Sequence, residues 1–135
     1  MNFNDEKDYI MRLINEIVRV LISLALKKQY TQVELPKENK YGVSSEKLSI
    51  IKAMVDEGKI NEAENLLLDD IGYTNKEDVA KLIFFYEYAN EKDILFLQQC
   101  HYSQEEILDG LKRLAEKLGY QNIIEMLDIL NIKRL

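Results

Sequence analysis

The sequence predicts an all-α fold, with a long N-terminal helix followed by stacked antiparallel helical hairpins. Three observations carry this. The chain has one proline, five glycines and no tryptophan, and it is biased toward Leu, Ile, Glu and Lys, all compatible with helix. Between Asp8 and Lys27 the charged and polar side chains are confined to one stripe. Six helix-start signals then follow, at Ser44, Asn61, Thr74, Asn90, Ser103 and Asn122. Every second signal falls at 44, 74 and 103, a spacing of 30 and then 29 residues that matches one helical hairpin. In four of the six a Glu sits three residues on, at Glu64, Glu77, Glu106 and Glu125, the pattern of a capping box. At 135 residues the chain reads as one domain, divided into a helix over 1–30, a loop over 31–43 and a hairpin array over 44–135.

The first helix is expected from Asp5 to Gln29. Asp8, Arg12, Asn15, Glu16, Arg19, Ser23 and Lys27 fall within an arc of roughly 120° at about 100° per residue. The rest of the circumference is apolar, with Leu26 the one apolar residue inside the polar arc. A helix on the outside of a small core needs a narrower apolar face, so Ile10, Leu13, Ile14, Ile17, Val18, Leu21 and Leu24 are candidates for a homodimer seam or a partner surface. Arg12, Glu16 and Arg19 interrupt the run, which excludes a transmembrane span, and the mixed charges of the stripe do not suit a membrane surface.

Residues 31–43 contain the proline and end in Gly42 and Val43, as a connecting loop does. Ser44 opens a helix through about Glu57, stopped by Gly58, and the cap at Asn61 starts its antiparallel partner, ended by Gly72. From Thr74 a helix apolar on two sides carries Phe84, Phe85 and Tyr88, which serve either as core or as an aromatic surface for a protein or peptide partner. A short helix from Asn90 and a single helix over 75–100 both fit the next stretch. Ser103 opens the last pair, with Ile107, Leu111, Leu114 and Leu118 inward, a stop at Gly119 and a final helix after Asn122.

The charge is uneven. Residues 1–59 hold ten Lys and Arg against nine Asp and Glu, and residues 60–135 hold eight against fifteen. Such an acidic surface without a basic stripe argues against nucleic acid. The single cysteine, Cys100, excludes an internal disulfide, and with no signal-peptide pattern the cytoplasm is the expected compartment. Cys100 stands beside the lone His101, but neighbouring residues point apart, and no second His completes a zinc set. Nucleotide and metal signatures are absent from the sequence. We expect no cofactor and no catalytic residue.

The stretches IIKAMVDEGKINEAENLLLDDI, DYIMRLINEIVRVL and FYEYANEKDILFLQQCHYSQEEILDGL, above all GKINEAENLL at Gly58–Leu67, resemble an uncharacterised bacterial family of short helical proteins, a domain of unknown function. That resemblance implies a small helical bacterial protein and lends no activity. The same hairpin is similar to a tetratricopeptide unit, with Gly58, Ile60 and Ala63 at its close-packing places, whereas Gln121 and Ile124 after Gly119 depart from that pattern. The expected function is a protein-interaction or scaffold module. The alternatives are a structural homodimer through the first helix and a small-ligand protein or enzyme with an unrecognised site.

Overall fold

A computed structural model describes residues 3–26 and 40–133, residues 3–8 by their backbone alone. The expected end of the first helix at Gln29 and the loop up to residue 39 lie outside the described residues. Among the described residues there are seven helices and no strand: α1 (Phe3–Ala25), α2 (Ser45–Asp56), α3 (Ile60–Leu68), α4 (Lys76–Asn90), α5 (Ile94–Gln99), α6 (Gln104–Lys117) and α7 (Gln121–Lys133).

Two of the six expected caps sit where the sequence puts them. Ser44 accepts from the Lys47 N–H at the start of α2, and Ser103 accepts from the Glu106 N–H at the start of α6. Elsewhere the chain chooses a neighbour or another device. Asn75, not Thr74, caps α4, and Asp93, not Asn90, caps α5. Asn90 ends α4 inside the core, where its side chain accepts from the Gln104 amide at 3.3 Å. The helix break therefore falls at 91–93. Asn61 lies within α3, and its amide donates to the carbonyls of Cys100 and His101, tying the first hairpin to the end of α5. Asn122 likewise lies inside α7.

Three helix ends use one motif. After α2, α5 and α6 a residue with positive φ follows the C-cap: Gly58 at 84°, His101 at 56° and Gly119 at 87°. In each case the next N–H reaches back to the last turn, Lys59 to Met54, Tyr102 to Leu97 and Tyr120 to Ala115. At Gly58 the left-handed turn favours glycine, and a Cβ there would also come tightly within 3.3 Å of the Cys100 Sγ.

α4 is the centre of the molecule and packs against α1, α2, α3 and α6. Nine of its fifteen residues are buried, so the two-sided apolar pattern expected of a central helix is what the packing uses. α1 lies against α4, α6 and α7. In an open solenoid each repeat touches only its neighbours, whereas here the last helices return to the first. Arg12 Nε donates to Asn131 Oδ1 at 2.8 Å, the Asn131 amide donates to Glu16 at 2.8 Å, and the Tyr9 hydroxyl donates to Asp128. Tyr41 and Val43, from the end of the expected loop, are buried in the same core.

Candidate interaction surface

The candidate residues of the first helix serve the chain's own core. Leu13, Ile14, Ile17, Val18 and Leu21 are fully buried against α4, α6 and α7, Ile10 is half-buried, and only Leu24 is left open, at 38 %. The broad apolar arc that motivated a homodimer seam is thus covered within one chain, by two helices more than a hairpin would supply.

The aromatic candidates divide. Phe84 and Phe85 lie in the core and present no surface, a correction to the expected aromatic patch. Burial follows from the position of α4, which has helices on every side. Phe84 takes Tyr41 edge-on at 5.4 Å and stacks on Tyr88 at 5.8 Å, and Phe85 meets Tyr86 and Tyr102. Tyr88 alone keeps an open edge, where it donates to Asp56 at 2.8 Å. Lys92 pairs with the same carboxylate and lies 4.8 Å from the Tyr88 ring, with Lys52 at 6.0 Å. The hydrogen bond from Lys92 chiefly holds the Asp56 carboxyl below its usual range and raises Lys92 in turn.

Behind α4, Tyr86 donates to Glu64 at 2.6 Å, so the Glu expected to close a capping box at Asn61 is used across helices instead. Gly110 on α6 makes room for the Tyr86 ring. The Tyr102 hydroxyl is buried without a hydrogen-bond partner, in the field of Glu64. Burial, then Glu64, push both phenols up, while burial and Asp128 push Tyr9 up to about 12. A raised phenol contributes stability in full below the ordinary tyrosine value of about 10 and loses it as pH climbs through the raised value. In an alkaline titration followed by tyrosinate absorbance, three of the eight tyrosines should therefore ionise only in a cooperative step that coincides with loss of helix. Eight tyrosines titrating smoothly, with the helix intact, would contradict these environments.

Two surfaces escaped the reading of the sequence. Between α2 and α3, Ile50, Met54, Leu66 and Leu67 line a cleft of about 320 Å³, with Lys47 and Lys81 also contributing. Ile50 and Leu66 are 62 % and 64 % exposed, on helices that turn Leu48, Ile51, Val55, Ile60 and Ala63 inward. Beside the cleft, Leu66 also borders an open depression shared with Glu62 and Asp69. Among the described residues no His, Cys, Asp and Glu are grouped to hold a metal, and no helix is long and apolar enough to cross a membrane.

A family model described as a family of unknown function, DUF6483, matches residues 4–119. The chain belongs to DUF6483. Neither a curated protein nor a solved structure matches it. The DUF6483 match takes in α1 to α6, and with them the α2–α3 cleft, the Tyr88 edge and the Tyr86–Glu64 pair; α7 lies beyond it.

α7 is the second surface. It points Ile124, Leu127, Asp128 and Asn131 toward α1 and α6, and leaves Ile123, Met126, Ile129, Leu130 and Ile132 exposed. Two of the four inward residues are polar. Asn131, wholly buried, is satisfied by Arg12, Glu16 and the Leu127 carbonyl, and Asp128 accepts from Tyr9 and Lys112. The signal in the sequence was Asn131 among isoleucines, at a place where only the position of Arg12 and Glu16 says which side faces in.

Proposed function

We propose that this chain is a protein-interaction or scaffold module of the bacterial cytoplasm, a binding protein rather than an enzyme, which takes an apolar segment of a partner protein in the α2–α3 cleft. The observation that carries the reading is the exposure of Ile50 and Leu66 on adjoining helices around one cleft. Large apolar side chains gathered around a concavity mark interaction sites more often than solvated faces do. An amphipathic helix would lay residues three and four apart along such a cleft, and Lys81, beside the Lys47–Glu77 ion pair, would favour a carboxylate at its edge. The hairpin that forms the cleft is also the part most like a tetratricopeptide unit. Gly58 takes the left-handed turn, and Ile60 and Ala63 are buried where the helices approach.

A photo-reactive benzoylphenylalanine at Leu66 tests the reading in cells. The expected result is a cross-linked product of defined mass that disappears when Ile50→Glu is added. The same group at exposed Glu57, off the cleft, should give no such product. Equal, diffuse labelling from both positions would count against the cleft.

A further inference from the structure

The outward face of α7 carries a pattern the α2–α3 cleft does not. Met126, Ile129 and Ile132 are its three most exposed apolar residues, at 61 %, 55 % and 56 %. They are evenly spaced, and at about 100° per residue Met126 and Ile132 fall about 60° to either side of Ile129. Glu125 and Lys133 are just as symmetric, about 40° to either side, with opposite charges. Both are exposed. These three apolar residues are therefore symmetric about Ile129 and the two charges antisymmetric, while the less exposed Ile123 and Leu130 lie about 100–120° to one side.

We infer that this face pairs with a second copy of the chain, α7 antiparallel to α7, with a two-fold axis at Ile129. In that arrangement Met126 of one copy lies level with Ile132 of the other, and Glu125 of one lies level with Lys133 of the other, on both sides of the axis. A parallel pairing would place Glu125 beside Glu125 and Lys133 beside Lys133. The two charges cannot satisfy each other within one chain, being about 12 Å apart along the helix. Nor can α7 turn its apolar face inward. Rotation would strip Asn131 of Arg12 and Glu16, and Asp128 of Tyr9 and Lys112, breaking the hydrogen bonds that tie α7 to α1 and α6. The polar lock on α1 thus holds the apolar strip outward, and self-complementary charge selects the same strip of another copy to cover it.

The test is sedimentation of the full chain at micromolar concentration, with circular dichroism as the check that each variant is folded. Wild type should sediment as a dimer. Ile129→Glu, which sets two carboxylates against each other on the axis, should weaken it on the order of 100-fold. Glu125→Lys and Lys133→Glu should each weaken it about tenfold, and the exchanged double variant should recover most of that loss. A monomeric wild type overturns the pairing, as does a dimer indifferent to Ile129→Glu. So does an exchanged double variant no tighter than either single one, because only the antiparallel register predicts rescue. None of these outcomes bears on the cleft, which is on other helices.

Discussion

Ile17→Ala should lower the unfolding free energy by about 3–4 kcal/mol, the range for a large apolar side chain removed from a close-packed site. Ile17 is wholly buried on a helix that touches α4, α6 and α7. The void opens where three helices meet, so the walls cannot collapse on it from one side. Leu24→Ala, on the same helix but 38 % exposed, should cost no more than about 1 kcal/mol. Urea unfolding checks both. The loss at Ile17 should be the same at every protein concentration, since its contacts are within the chain. A seam between subunits would instead make the penalty grow with concentration as the dimer's contribution is lost.

Gly110→Ala should destabilise the fold by about 2 kcal/mol, even though alanine is the better helix former by about 1 kcal/mol. A Cβ at this place would lie 2.7 Å from Cε1 of Tyr86 and would overlap its Cζ and hydroxyl. The ring cannot step aside cheaply. It is packed edge-on against Phe85 and held by the hydrogen bond to Glu64. Tyr86→Phe should not rescue the variant, because two of the three clashes are with ring carbons. Tyr86→Leu, which removes the ring, should lessen the cost of Gly110→Ala, and thermal unfolding of the four species of this double-mutant cycle measures the coupling. Additive losses would mean that Gly110 matters only through the helix backbone.

What the sequence made legible was local. Helix content, the stops at Gly58 and Gly119, and the caps at Ser44 and Ser103 depend on residues within one turn of each other, and they stand where they were read. Two of the failed caps, Asn61 and Asn90, were drawn off by tertiary partners, while Thr74 gave way to its neighbour Asn75. Asn61 bonds to carbonyls of Cys100 and His101, Glu64 to Tyr86, and Asn90 to Gln104, contacts that no spacing rule displays. The surplus apolar arc of the first helix was read as a homodimer seam or partner surface, whereas α4, α6 and α7 of the same chain cover most of it. Which neighbours could not be read, because the answer lies in α6 and α7 returning to α1 across the whole length of the chain. The candidate surface was the least legible part. A hydrophobic stripe in a sequence does not say which of its residues stay at the surface, so the exposure of Ile50 and Leu66 was not legible, and α7 conceals its orientation until Asn131 is seen between Arg12 and Glu16.

Hydrogen exchange of α1 tests most directly whether the first helix is part of the chain's own core. It is best measured on dilute Ile129→Glu protein, where no second copy contributes. The amides of residues 13–22 should exchange as slowly as those of residues 79–89 in the central helix, within one cooperative unit. An α1 that exchanges freely while α4 remains protected would contradict the placement, and would return the first helix to the surface as a seam for a partner.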